Sequence, residues 1–402
     1  MTMVENKDKK VLNVPNLRFP EFEGEWEKCK LGDITQNFNR RNKEKIQYPM
    51  FSVTNERGFV PQSEQFEGRD MVGDDIKAYK IIQSQEFAYN PARINVGSIA
   101  MYSGKAPCMI SSLYVCFKTT QKVDDEWLMQ LLKTAKLNYC YNVNGEGGVR
   151  VYLFYPNFAR IRVSLPSLTE QKKIACFLNL LDERISTQNK IIEDLKKLKC
   201  AIIENVLNNC HDNKMRLGDV GIYIRGLTYS SNDVVEQKGT IVMRSNNIVS
   251  GGLLDYCNNV VRVNKQILQE QQLQNGDIVI CMANGSSALV GKTSFYDGKC
   301  LSPITVGAFC GIYRSKMPIT KWLFQTNRYH RYIWNSLQGG NGAIANLNGE
   351  DILRMSFPTP DKSTIGHCIK LLSSLDLLIE NNVSLCSMFS QQKEHLLQQM
   401  FI

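Results

Sequence analysis

The chain has 402 residues, of which 43% are hydrophobic and 22% charged, the composition of a globular protein with two or three domains rather than a disordered or fibrous one. No apolar run approaches the roughly 18 residues that cross a bilayer, and the first ten residues are charged rather than signal-like, so we expect a soluble, cytoplasmic protein. The 13 Cys form no Cys-x-x-Cys pair and the 4 His are scattered, which indicates reduced, mostly buried thiols and argues against a metal site.

The chain begins with a polar lead-in that contains Pro15, Pro20 and Trp26. Prolines interleaved with apolar residues favour an extended segment that packs on a surface, and we expect Trp26 to anchor it. Two blocks of short strand patterns and two long helical stretches follow, so we predict an α+β fold. The predicted segments are the extension with the first block (1–166), the first long helix (167–211), the second block (212–358) and the second long helix (359–402). A short helix is predicted within each block, over 125–137 and 319–337.

The second half of the chain repeats the first. The Leu-Gly-Asp of residues 31–33 returns at residues 217–219, and Trp127-Leu128 returns as Trp322-Leu323. Offsets that drift by only a few residues indicate a duplicated unit of block plus helix with short loop insertions.

The long helices carry apolar residues at alternating steps of three and four, the spacing of a coiled-coil seam. The seam positions are Ile174, Leu178, Leu181, Ile185, Gln188, Ile192 and Leu195 in the first helix and Leu372, Leu375, Ile379, Asn382, Phe389 and Leu396 in the second. Ile202 and Val206 continue the first seam. We predict an antiparallel coiled coil with a pseudo-two-fold internal repeat, in which polar Gln188 and Asn382 fix the register. The alternative is that the two helices form a hairpin with no role beyond holding the two halves of the chain together.

The net charge of +9 belongs to the two blocks and not to the helices. Residues 26–166 contain 19 Lys and Arg against 14 Asp and Glu, and residues 210–358 contain 15 against 10. An equal basic surplus on two similar domains favours two contacts with a polyanion such as nucleic acid, although many proteins carry such a surplus without binding one.

No active site can be recognised in the sequence. There is no phosphate-binding Gly-x-x-x-x-Gly-Lys-Ser/Thr loop, no Asn/Asp-Pro-Pro-aromatic element of a nucleic-acid methyltransferase, and no convincing nuclease carboxylate cluster. What remains are glycine-containing loops rich in Arg, Lys, Asn and Ser, which suit base edges and phosphates but also resemble ordinary turns. The candidate DNA-binding residues are Arg40, Arg41, Asn55, Arg57, Arg93, Asn95, Ser103, Lys105 and Arg150 in the first block and Arg225, Arg244, Ser245, Asn246, Asn284, Ser286, Lys292, Asn341 and Asn346 in the second.

Several motifs resemble those of the specificity subunit of a Type I restriction-modification system, over nearly the full length. They are Leu17-Arg-Phe-Pro-Glu-Phe22, Gly24-Glu-Trp26, Leu31-Gly-Asp-Ile34, Glu170-Gln-Lys-Lys-Ile174, Phe177-Leu178, Leu181-Asp182 and Ile185. The second helical region keeps Pro358, Leu371-Leu372, Leu375-Asp376 and Ile379, but Thr364-Ile365 replaces the Glu-Gln pair.

The resemblance implies two target recognition domains that read the halves of a bipartite, asymmetric sequence in double-stranded DNA, across a spacer whose length the helices set. It also implies two methyltransferase subunits that use S-adenosylmethionine, and restriction subunits that use ATP and Mg. The chain itself would bind no cofactor or metal and catalyse nothing. The alternatives are a stand-alone DNA methyltransferase or nuclease with an unrecognised site, and a helical-hairpin scaffold that binds proteins.

Overall fold

The computed structural model describes residues 12–65, 76–147, 151–210, 213–338 and 345–402. They belong to two compact units, Met1–Asn189 with Ser384–Ile402, and Lys190–Val383. Each unit therefore combines one globular block with segments of both long helices. None of the helices in the described ranges has the length and apolar character that a membrane span needs.

The first unit is built from short strands and helices. Its strands are β1 (Glu27–Lys30), β2 (Thr35–Phe38), β3 (Phe51–Thr54), β4 (Gly58–Pro61), β5 (Lys80–Ile82), β6 (Phe87–Tyr89), β7 (Ile99–Met101), β8 (Cys108–Ile110), β9 (Val115–Thr119) and β10 (Arg162–Leu165). Its short helices are α1 (Leu31–Ile34), α2 (Gln62–Gln65), α3 (Asp125–Leu132), α4 (Ala135–Asn144) and α5 (Tyr155–Arg160). The long helix α6 (Leu168–Asn208) begins here.

The second unit repeats this plan. Its strands are β11 (Lys214–Arg216), β12 (Gly221–Arg225), β13 (Val234–Val235), β14 (Thr240–Met243), β15 (Val261–Val263), β16 (Ile278–Cys281), β17 (Ala283–Asn284), β18 (Thr293–Phe295), β19 (Ile304–Val306), β20 (Cys310–Ser315), β21 (Ala345–Asn346) and β22 (Ser356–Pro358). Its short helices are α7 (Leu217–Val220), α8 (Thr320–Leu323), α9 (Asn327–Gln338) and α10 (Gly349–Leu353), and the long helix α11 (Lys362–Met400) follows.

The central sheets of the two units have the same topology. The first has the strand order β2-β9-β6-β7 and the second the order β12-β20-β16-β18, with antiparallel neighbours in both. A separate antiparallel pair, β1-β10 or β11-β22, joins the start of each block to its end, just before a long helix. The internal repeat in the sequence is thus a repeat of structure.

The repeated Leu-Gly-Asp motif has a steric cause. A Cβ at Gly32 would lie 3.0 Å from the Cβ and 3.1 Å from the carbonyl oxygen of Ala159. A Cβ at Gly218 would lie 3.0 Å from the carbonyl oxygen of Leu353. Both glycines therefore let the first turn of the block approach the end of a later helix.

The core of each unit includes residues from both long helices. In the first unit, Ile174 and Leu178 of α6 and Leu396 of α11 are buried with the block, and the Trp127 ring lies 5.6 Å from that of Phe401. In the second unit the helix residues buried with the block are Ile203, Leu207, Cys368 and Leu372. At the end of the predicted seam, Ile202 and Val206 are partly buried and pack against the core of the unit, and the neighbouring Ile203 and Leu207, which were not predicted, are fully buried in it.

Within the first unit the two helices run antiparallel. Lys393 Nζ lies 2.5 and 2.7 Å from the carboxylate oxygens of Asp182, and Cys386 Sγ lies 3.3 Å from Asn189 Oδ1. A step of seven residues towards the C-terminus of α6 thus corresponds to a step of seven residues towards the N-terminus of α11. In the second unit the equivalent ion pair joins Lys199 Nζ to Asp376 at 2.8 Å. Gln188 is 7% exposed, and its role in fixing the register stays a prediction.

Each predicted short helix is in fact two helices, and the prediction of one continuous helix is wrong. Thr134 separates α3 from α4, accepting the N–H of Leu137 at 3.3 Å and donating to the carbonyl of Leu131 at 2.8 Å. Thr326 separates α8 from α9 with the same two bonds, at 3.1 Å from Tyr329 and 2.7 Å to Leu323. A threonine side chain that caps a helix in this way competes with helix continuation.

The N-terminal lead-in is anchored as predicted. Trp26 is 4% exposed, and its indole N–H lies 3.2 Å from Glu170 Oε1. Arg18 donates two bonds of 2.8 Å to the same carboxylate, which is almost completely buried. The adjacent Gln171 accepts the N–H of Asp124 at 2.7 Å and donates to the carbonyl of Pro166 at 2.8 Å.

The Glu-Gln pair of the first helical motif therefore makes contacts within this chain. In the described part of the second unit, Thr364 occupies the Glu position and bonds Asp361 of the same helix start, and Ile365 packs against the core of the unit. The first long helix binds the lead-in through its Glu-Gln pair, whereas the start of the second makes different contacts. This difference accounts for the departure from the motif.

Candidate nucleic-acid interface

Three loops of the first unit meet around a cleft of about 470 Å³. The loops follow β3, follow β6 and precede β9. They bring together three of the predicted residues, Asn55, Arg57 and Arg93, beside Asn90 and Tyr114. Cationic and amide side chains thus converge although their loops are about 40 residues apart in sequence.

Hydrogen bonds between these loops hold the cleft in shape. Tyr114 Oη lies 3.2 Å from the N–H of Val53, and Ser98 Oγ donates to the carbonyl of Val53 at 2.7 Å. Thr54 Oγ1 accepts the N–H of Arg57 at 3.1 Å and so fixes the turn after β3. The scaffold uses backbone groups and hydroxyls, which leaves the exposed side chains of Asn55 and Arg93 at the surface.

The second unit has a cleft of about 530 Å³, also built from three loops. It contains the predicted residues Arg244, Ser245 and Asn246, and the ring of Phe309 is 68% exposed at its wall. Asn284 joins the group through a bond of 3.2 Å from its amide nitrogen to Ser245 Oγ.

Local constraints also shape this second cleft. Asn247 accepts the N–H of Arg244 at 3.0 Å, which closes the turn after β14. A Cβ at Gly226 would lie 2.1 Å from the carbonyl oxygen of Gly307, so the chain after β12 touches the loop before β20. Burial raises the pKa of the Cys310 thiol to about 12, so this thiol is neutral at the cleft wall.

The two clefts occupy equivalent places in the repeat. Two of their loops correspond: the loop after β3 to the loop after β14, and the loop before β9 to the loop before β20. The third loop follows β6 in the first cleft and β12 in the second. The aligned positions are Asn55 with Ser245, Arg93 with Asn284 and Tyr114 with Phe309, at offsets of 190, 191 and 195. Equivalent placement with different side chains is the arrangement expected of two sites that bind the same kind of ligand but read different sequences.

Several other predicted residues lie outside the lining of these clefts. Arg40 forms a bidentate ion pair with Glu86 at 2.8 and 2.9 Å, so its guanidinium serves the fold. Asn95 donates to Asn142 at 2.9 Å. For the other described candidates, no contact tests the predicted role. They are the exposed residues Arg41, Ser103, Lys105, Arg225 and Ser286, half-buried Lys292, and Asn346 of β21. Arg150 and Asn341 fall outside the described residues.

Four further residues that were not predicted from the sequence line the clefts, namely Asn90, Tyr114, Tyr229 and Phe309. Aromatic residues beside a strand read as core, so composition alone does not distinguish them. Their position in the repeat could have identified two of them, because Tyr114 and Phe309 directly precede the matching strands β9 and β20.

Residues 23–197 match a family model described as the Type I restriction modification DNA specificity domain. This segment is therefore similar to a Type I specificity domain. A relative from Methanocaldococcus jannaschii, described as a type I restriction enzyme MjaX specificity subunit, is 25% identical over 204 residues. The matched segment is 48% of this chain and 48% of the relative, so the chain spans about half the length of the curated relative it matches.

Two solved structures of specificity subunits are similar over almost the whole chain. The S subunit of a Type I restriction-modification system from M. genitalium superposes with a TM-score of 0.58 at 12% identity, covering 97% of this chain and 99% of that one. The HsdS subunit from Thermoanaerobacter tengcongensis gives a TM-score of 0.38 at 13% identity, covering 94% and 96%. The first match shows the shared fold, and with the family model it confirms the resemblance to Type I specificity subunits.

Proposed function

We propose that this chain recognises a bipartite, asymmetric DNA sequence through its two clefts, one half of the target in each. The proposal is supported by the polar clefts of the two units, which share two equivalent loops and have different side chains at aligned positions. Arg can bond two acceptors of guanine, and Asn can bond both an acceptor and a donor of adenine. Because Arg93 of the first cleft aligns with Asn284 of the second, the two half-sites should differ in sequence.

The chain would act as a non-catalytic adaptor within a Type I restriction-modification complex. By the family resemblance, two methyltransferase subunits carrying S-adenosylmethionine and restriction subunits using ATP and Mg would supply the chemistry. The long helices would dock these partners and set the length of the unspecified spacer. A helix of 41 residues is roughly 60 Å long, enough to separate sites by more than one turn of DNA.

The test is a map of methylated adenines in cells with and without the chain. We expect deletion of the chain to remove methylation at one asymmetric bipartite motif. An unchanged map in a strain with active partner subunits would contradict the adaptor role. Methyl transfer or DNA cleavage by the purified chain alone would instead support a stand-alone enzyme.

The spacer role has its own test. One heptad inserted into both long helices at matched positions should lengthen the gap in the methylated motif and leave both half-sites intact. A one-helix insertion is the matched control, because it breaks the register of the pair. An unaltered gap with the double insertion would show that the helices do not set the spacer.

A further inference from the structure

The second unit has another polar cleft, away from the loops that line the cleft around Arg244. It has a volume of about 560 Å³ and lies between the end of α6, the helix α9 and the strand β11. Its lining is rich in cations and amides, namely Lys214, Arg328, Arg331, Asn208, Asn327 and Asn335. None of the three cations forms an ion pair with another residue in the described part of the chain.

The arrangement follows from how α9 packs. Tyr329 and Ile333 point into the unit, and Tyr329 Oη donates to the carbonyl of Gly291 at 2.7 Å. Arg328, Arg331 and Asn335 follow a spacing of three and four residues, so they share the exposed face of the helix.

The acidic side chain that lines this cleft is already engaged. Glu204 Oε1 accepts the N–H of Asn327 at 2.5 Å, at the start of α9. Because this carboxylate bonds the N-terminus of the helix, it does not pair with the three cations, which face solvent. The cleft as a whole is therefore positively charged.

The equivalent helix of the first unit does not have this face. At an offset of 192, Arg331 corresponds to Tyr139 and Asn335 to Val143, which are 70% and 62% exposed. Arg328 keeps a cation at its equivalent, Lys136, and Lys214 of β11 keeps one at Lys28, by the offset of 186 that relates the two Leu-Gly-Asp motifs. The basic face is therefore no requirement of the repeated fold, since α4 packs in the same place without it.

We propose that this cleft binds phosphate groups of the DNA backbone and gives the second unit a contact that the first lacks. Arg, Lys and Asn side chains are the usual donors to phosphate oxygens, and such contacts position a protein on DNA without reading its sequence. The inference rests on the proposed function insofar as the chain binds DNA. It adds a site that contributes affinity and not sequence preference.

The test uses the full-length chain and duplex DNA with and without the methylated motif, at several salt concentrations. In the double variant R328Q and R331Q we expect weaker binding to both duplexes by the same factor. Each lost phosphate contact reduces the steepness of the negative slope of log affinity against log salt by about 0.9, so the slope should become shallower by about 2. K214Q, on a strand rather than on α9, should make it shallower by about 1, and K136Q is the matched control from the first unit.

The outcomes separate the two proposals. If the wild-type chain binds DNA and the double variant keeps its salt slope, the phosphate site is wrong while the adaptor role stands. A variant that loses its preference for the motif would place these arginines in base recognition and also overturn the inference. Unchanged DNA binding together with weaker assembly with the methyltransferase subunit would assign the cleft to an acidic protein segment. A wild-type chain that binds no DNA, alone or with its partners, overturns both proposals.

Discussion

Asp376 is a junction between the second block and both long helices, and its replacement by Asn should strongly destabilise the second unit. The carboxylate on α11 accepts from Lys199 Nζ of α6 at 2.8 Å, from Lys321 Nζ at 2.7 Å and from Trp322 Nε1 at 3.0 Å. Because Lys199 is only 5% exposed, the Asn variant leaves a buried ammonium without its acid. Breaking a buried pair in this way costs about 3–5 kcal/mol.

The repeat offers a matched control in Asp182→Asn. Asp182 pairs with Lys393 at the equivalent place of the first unit, but its side chain is 45% exposed. Solvent screens such a pair, so we expect a loss of about 1 kcal/mol or less.

Hydrogen exchange of α8 and of the part of α11 in the second unit measures the free energy of local opening. We expect a fall of at least about 3 kcal/mol for the Asp376 variant in that unit. Lys199→Met should reduce the effect of the Asp376 substitution, since it removes the stranded charge. Equal effects of the two Asp→Asn variants, or no coupling to Lys199, would refute the reasoning.

Three further substitutions test other parts of the structure. Arg18→Ala leaves the carboxylate of Glu170, which is 1% exposed, without its bidentate cation, so we expect a loss of about 3 kcal/mol and faster proteolysis of the lead-in; an unchanged cleavage rate would contradict the anchoring. Phe309→Ala removes an exposed ring, so stability should change by less than about 0.5 kcal/mol while one half of the methylated motif relaxes; relaxation of both halves would argue against independent clefts. Gly226→Ala places a Cβ 2.1 Å from the carbonyl oxygen of Gly307, so we expect a loss of about 2 kcal/mol in thermal unfolding; a wild-type Tm would show that the loop yields freely.

Periodicity and repetition made the architecture predictable. Apolar spacing identified both long helices to within three residues of their observed ends. The repeated Leu-Gly-Asp located the first turn of each block, where glycine meets the backbone of a later helix. The burial of Ile203 and Leu207 was not predictable from the seam, because their core also contains residues of the block.

The clefts were predictable only as a set of loops. Asn55, Arg57 and Arg93 were selected by residue type, and strand order then decides which loops meet. Arg40 has the same chemistry but lies within reach of Glu86, a contact between residues 46 positions apart that no local pattern reveals. The exposed ring of Phe309 was missed because an aromatic residue beside a strand normally belongs to a core.

We propose that each cleft reads one half of a bipartite target. The measurement that tests this is the adenine methylation map of cells that express Arg93→Ala, in the first cleft, or Asn284→Ala, which removes the amide that bonds Ser245 of the second. Each variant should relax or change one half of the motif, a different half for each, with the other half and the spacer unchanged. If both variants alter the same half, or if neither alters the motif in cells with active methyltransferase partners, the two clefts are not the sites that read the sequence.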